Sequence, residues 1–154
     1  MAVIHAPQPL PPQAPVAPVV VLPPIELLLV EPLFLVRRTV AAVARDMRLA
    51  NPREVTTLDQ AQALLSLQPF DALFLSLEQE DAALELMSRV RSGDTRCHRA
   101  MPIAVTAGNC GTSLALRLKQ LEVRRLLLRP FKVKGVLDAI AALRPPATEL
   151  HKAA

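Results

Sequence analysis

Five short strand-like runs alternate with segments of helical period, and that alternation leaves the chain very few ways to fold. The clearest run is Phe70-Asp71-Ala72-Leu73-Phe74-Leu75-Ser76-Leu77, which begins after Pro69 and ends before a cluster of acids. Its length is that of a strand, and apolar side chains from Ala72 to Leu75 require cover on both faces, as in the middle of a parallel sheet. Ser76 then stands at the carboxyl edge of a central strand, the edge where such sheets present their chemistry. The other runs are Ile25–Val30, Glu54–Thr57, Met101–Thr106 and Leu126–Leu128.

The intervening segments carry helix signals. Pro32 is placed to open a helix as its first residue, and Leu33, Val36, Val40, Val43 and Met47 form its apolar stripe until Asn51-Pro52 stops it. Thr57-Leu58-Asp59-Gln60 has capping-box spacing for a helix through Leu67. Glu80 and Asp81 start the next helix, Arg89 and Arg91 lie near its end, and Ser92-Gly93-Asp94 closes it, as the helix dipole favours. After the loop Gly108-Asn109-Cys110-Gly111, Thr112 caps a helix with Leu114, Leu118 and Leu121 inward, and Val133–Leu143 forms the last helix before Pro145-Pro146. Strand and helix alternating five times predict an α/β, flavodoxin-like (βα)5 sandwich: one five-stranded parallel sheet in the order 2-1-3-4-5, with helices on both faces.

At 154 residues the chain suits one domain, expected over residues 25–144. Residues 1–24 hold more than half of the 15 prolines and have neither helical nor strand period, so they read as a flexible arm; residues 145–154 read as a tail. The segments Pro9-Leu10-Pro11-Pro12, Pro12-Gln13-Ala14-Pro15 and Pro15-Val16-Ala17-Pro18 also have the spacing of a polyproline ligand. The apolar stretch Val16–Val36 is not a membrane span, because four prolines and two glutamates interrupt it, and no Lys or Arg precedes it as a secretory signal requires. A cytoplasmic protein without a membrane role is the expectation.

Composition narrows function. Aromatic residues are 3% of the chain, with no Trp or Tyr, which removes the stacking platforms of single-strand binders. Cys97 and Cys110 offer at most one disulfide and read as two free thiols; Cys97-His98 has no second pair at zinc-ligand spacing. Ser76 and Thr106 end neighbouring strands, yet no histidine belongs at that edge to act as a base, so nucleophilic catalysis is not expected. The last third is basic, through Arg117, Lys119, Arg124, Arg125, Arg129, Lys132, Lys134 and Arg144, opposed mainly by Glu122 and Asp138.

Four segments together resemble the receiver domain of bacterial response regulators over Ile25 to about Leu143: Leu29-Val30-Glu31, Phe70–Leu77, Met101–Ala107 and Arg129-Pro130-Phe131. In that family an acidic pair after the first strand holds Mg²⁺, and an aspartate ending the third strand takes a phosphoryl group from a histidine kinase. A hydroxyl ending the fourth strand and a lysine ending the fifth respond to it. Matched residue by residue, Glu31 stands for the first acid, Pro32 replaces the second, Ser76 replaces the phosphoacceptor, Thr106 is kept and Arg129 replaces the lysine. The resemblance therefore implies a degenerate pocket without cofactor, Mg²⁺ binding being lost with one of its oxygen ligands. It also implies a cis Arg129–Pro130 peptide, and an Arg129 guanidinium paired with Glu31 in place of the metal.

The function implied is a phosphorylation-independent pseudo-receiver: not an enzyme, but a protein-interaction module in bacterial two-component-type signalling or transcriptional regulation. Its partner face, and a homodimer face, would lie on the fourth helix, fifth strand and fifth helix, with Arg117, Lys119, Arg124, Arg125, Leu126, Lys132 and Lys134. Leu126 stands where the family has its switch aromatic. Two alternatives remain open: a nucleic-acid-associated regulator using the basic last third, and a switch modified at Ser76 or Thr106.

Overall fold

The structure is a computed structural model and describes residues 23–144. Residues 1–22 of the arm expected over residues 1–24, the tail expected over residues 145–154, and the polyproline spacings lie outside the described residues. Five parallel strands are ordered β2-β1-β3-β4-β5: β1 (Ile25–Val30), β2 (Ala50–Val55), β3 (Ala72–Ser76), β4 (Ile103–Ala107) and β5 (Arg125–Leu128). Between and after them run α1 (Phe34–Asp46), α2 (Leu58–Leu67), α3 (Glu80–Ser92), α4 (Thr112–Gln120) and α5 (Val133–Ala142). This is the doubly wound (βα)5 sandwich in the expected order. No helix among the described residues is long and apolar enough to cross a membrane.

Strand periodicity explains the two cores. Every residue of β3 and β4 is buried, and alternate side chains point to opposite faces. Leu73, Leu75, Ile103 and Val105 meet α2, α3 and α4, while Phe74, Ala72 and Ala104 join Leu27 and Leu29 beneath α1 and α5.

The helix termini follow side-chain chemistry. Thr57 accepts a hydrogen bond from the backbone N–H of Gln60 at 3.2 Å, and the Gln60 side chain accepts from the Thr57 N–H at 3.3 Å, completing the capping box. We expect Thr57→Ala to cost about 1 kcal/mol in chemical denaturation with an unchanged denaturant slope. Gly93 ends α3 with φ of 88°, a left-handed position that glycine adopts without strain.

Several local expectations are corrected. The fold does not stop α1 at Asn51-Pro52: the helix ends at Asp46, Arg48 turns the chain with φ of 53°, and Asn51 and Pro52 lie inside β2. Pro52 is tolerated because β2 is an edge strand that pairs only with β1. The buried face of α1 is Val40, Ala41 and Ala44; Leu33 and Met47, expected inward, are exposed. Pro32 precedes the N-cap Leu33 rather than opening the helix, and α4 is capped by Gly111, with Thr112 its first residue. Leu114, Leu118 and Leu121 do point inward.

Candidate functional site

The carboxyl ends of β1, β3 and β4 lie side by side, which gathers Glu31, Ser76 and Thr106. Ser76 and Thr106 are direct register partners, and the strand ladder continues one residue further through Leu77 N–H donating to the Thr106 carbonyl at 2.8 Å. Glu31 follows β1, its N–H bonded to the Val55 carbonyl at 3.1 Å. Arg129 follows β5, its N–H bonded to the Ala107 carbonyl at 2.9 Å, and the Arg129–Pro130 peptide is cis. All three polar side chains of the strand ends are buried: Glu31 is 2% exposed, Ser76 5% and Thr106 2%.

Burial dominates the state of Glu31. Both carboxylate oxygens are buried without a partner of hydrogen-bonding geometry. Loss of solvation pushes its carboxyl above the ordinary value of 4.5, and the Glu78 charge adds to this. The Ser76 hydroxyl, Arg129 and Arg37 pull the other way without prevailing. The Ser76 Oγ itself accepts from the Glu78 N–H at 3.3 Å, closing a tight turn beyond β3.

The expected Glu31–Arg129 pair is not formed. Arg129 Nη2 instead makes an ion pair with Glu78 Oε1. Both partners of that pair keep some solvent, at 24% and 40% exposure, so pairing there avoids ionising the buried Glu31. Arg129 Nε is itself buried and unpartnered. Its Nη2 also lies 3.4 Å from the position a Cβ on Gly108 would take, so the guanidinium runs close along the Gly108 backbone.

Sequence reasoning missed Glu78. The signal was an acid two residues beyond the end of the central strand, on the edge to which Arg129 also belongs. It also missed Arg37, which donates to the Glu31 carbonyl at 2.9 Å and approaches Glu54 at 3.7 Å. Arg91 was read only as a dipole-favoured residue. It donates to the carbonyls of Leu121 and Arg99 at 2.8 Å and of Met101 at 2.6 Å, tying α3 to the end of α4 and the approach to β4.

A cleft of about 470 Å³ opens where the sheet order reverses, between β1 and β3, lined in part by Pro32, Leu33, Thr57, Ser76 and Glu78. Among the described residues no three His, Cys, Asp or Glu side chains cluster as a metal site would require. The Cys97 and Cys110 thiols are free; Cys97 is buried, and its sulfur accepts from the Phe70 N–H at 3.2 Å at the entrance to β3.

Solved structures share this fold. A response regulator from Thermotoga maritima matches with a TM-score of 0.67 at 15% identity, over 78% of this chain and 97% of its own. The fold is that of response-regulator receiver domains. An orphan response regulator of H. pylori matches the receiver fold of this chain with a TM-score of 0.66 at 16% identity, over 78% and 97% of the two chains. The chemotaxis response regulator CheY4 of Vibrio cholerae does so with 0.63 at 16%, over 79% and 99%. No protein-family model and no curated protein matches the sequence.

Set on the receiver fold, the remaining predicted residues take defined places. Arg117 and Lys119 are exposed on α4, Arg124 and Arg125 at the start of β5, and Lys132 and Lys134 at the start of α5. Leu126 is half-buried and packs on the core under α2, α3 and α4. The basic residues thus share one flank of the sheet, ending in the edge strand β5.

Proposed function

We propose that this chain is a pseudo-receiver: a non-enzymatic module that binds a protein partner through its α4, β5 and α5 flank and takes no phosphoryl group at Ser76. The observation that carries the reading is the pairing at the carboxyl edge. A hydroxyl ends β3, and the guanidinium that would meet a phosphoryl group is engaged by Glu78. A serine ester of phosphate is not the reactive acyl phosphate that lets an aspartate switch reversibly.

The donor set does not fit Mg²⁺. That ion demands near-octahedral oxygen coordination, usually with one or two carboxylates. Here Glu31 is a lone buried carboxyl whose ionisation is opposed by burial, Pro32 supplies no side-chain oxygen, and Arg129 adds positive charge. No step of the proposed function therefore passes through a metal.

The exposed bases on α4, β5 and α5 favour a partner with an acidic surface, which such a field would steer. Ser76 and Thr106 are too buried for a protein kinase to reach without opening the sheet edge, which disfavours the modified-switch alternative. Incubation of the whole chain with acetyl phosphate and Mg²⁺ tests the proposal. Intact-mass analysis is expected to find only unmodified protein, and a phosphoryl adduct contradicts it.

A further inference from the structure

The edge of the sheet at β2, opposite β5, carries a second basic flank. From residue 37 to residue 54 the chain has five arginines, Arg37, Arg38, Arg45, Arg48 and Arg53, against two acids, Asp46 and Glu54. Three of these guanidiniums converge on one carboxylate. Arg37 Nε lies 3.7 Å from Glu54 Oε1, and Arg38 Nη1 and Arg45 Nη2 lie 3.3 and 3.4 Å from Glu54 Oε2. Glu54 therefore gathers the arginines without neutralising them, because it brings a single charge and each guanidinium keeps further N–H donors. Arg48 and Arg53 are exposed and make no ion pair among the described residues.

A groove of about 640 Å³ runs over the free edge of β2 and includes part of this cluster. Arg45 of α1 stands on one side, Ala63 and Leu64 of α2 on the other, with Pro52, Arg53 and Glu54 of β2 between them. The edge itself is poorly suited to another strand. The Ile25 and Glu31 N–H groups donate to the Leu49 and Val55 carbonyls at 3.3 and 3.1 Å. By alternation, Ala50, Pro52 and Glu54 turn their backbone groups outward, and Pro52 has no N–H to offer. Its carbonyl accepts from Arg45 Nη2 at 3.5 Å. Strand addition by a second copy is obstructed, and two copies meeting there would set arginines against arginines.

We propose that this groove docks an acidic segment with apolar side chains, carried by a protein partner. Charge selects the acid: guanidiniums pair with carboxylates through a planar fork, and the field of this flank steers an acidic segment toward it. The α2 wall selects a peptide over a nucleic acid. A phosphate backbone would leave Ala63 and Leu64 uncovered, and none of the described residues that border the groove is aromatic, so bases find nothing to stack on. The groove and the α4, β5 and α5 flank lie at opposite edges of the sheet, so occupants of the two do not compete. Docking here is independent of whether Ser76 accepts a phosphoryl group.

The test uses the full chain and a fluorescein-labelled, capped peptide in which valine and glutamate alternate, long enough to run the length of β2. Fluorescence anisotropy is expected to show saturable binding, and the amide ¹H–¹⁵N spectrum to shift at Arg53, Ala63 and Leu64. Arg45→Glu and Arg53→Glu, both at exposed positions, should each weaken binding roughly tenfold or more, as loss of one close charge pair does, with the circular dichroism spectrum unchanged. An all-glutamate peptide of the same length should bind more weakly than the alternating one. Shifts gathered instead on α4, β5 and α5 assign acidic peptides to the other flank and overturn the proposal. So does an all-glutamate peptide that binds as tightly, duplex DNA that shifts the groove amides while the peptide does not, or the absence of saturable binding.

Discussion

Replacing Phe74 with alanine is expected to remove about 3–5 kcal/mol of stability, the range for a large buried aromatic cut back to a methyl group. Phe74 sits in the middle of β3, 1% exposed, with Leu29 of β1 and Ala104 of β4 as its lateral neighbours. Its ring fills the layer between the sheet and α1 and α5, and both flanking strands are fixed by their own partners, so the cavity has little room to collapse. A single domain commonly holds only about 5–15 kcal/mol in total, so the variant should unfold at a far lower denaturant concentration. A loss below about 1 kcal/mol would mean that this layer is not packed as described.

Glu31→Gln is expected to change the pH dependence of stability. Burial raises the Glu31 carboxyl above its ordinary 4.5 in the folded chain, so as pH climbs past 4.5 the unfolded state ionises first. The contribution of this group is therefore fully present below about that pH and is lost as pH rises through the folded value. Each unit of displacement is worth about 1.4 kcal/mol. The stability of the wild type minus that of Glu31→Gln should fall between acidic and neutral pH and then level off, as read from urea unfolding across the range. A difference that rises with pH would show Glu31 to be a stabilised carboxylate with a cationic partner.

These two sites also mark what the sequence could and could not reveal. The fold was legible because the strands announce themselves: Ala72–Leu75 and Ile103–Val105 are apolar on both faces, and only a covered parallel sheet accepts that. Thr57 and Gln60 fixed a helix start for the same local reason. The end of α1 was hidden because Arg48 adopts a left-handed conformation with no glycine to signal it, and because Pro52 reads as a breaker unless its strand is known to be an edge. At the candidate site, the strand ends that gather Glu31, Ser76, Thr106 and Arg129 followed from register. The partner of Arg129 did not. Choosing Glu78 over Glu31 depends on how much solvent each carboxylate keeps, which only the folded surface determines.

On the proposed reading, the carboxyl edge of this receiver fold does not respond to a phosphoryl group. Beryllofluoride with Mg²⁺, which imitates a phosphorylated acceptor, tests it when followed by the amide ¹H–¹⁵N spectrum of the full chain. The spectrum is expected to be unchanged at Ser76, Thr106, Arg129 and along α4 and β5. Saturable shifts that spread from Ser76 to those elements would contradict it.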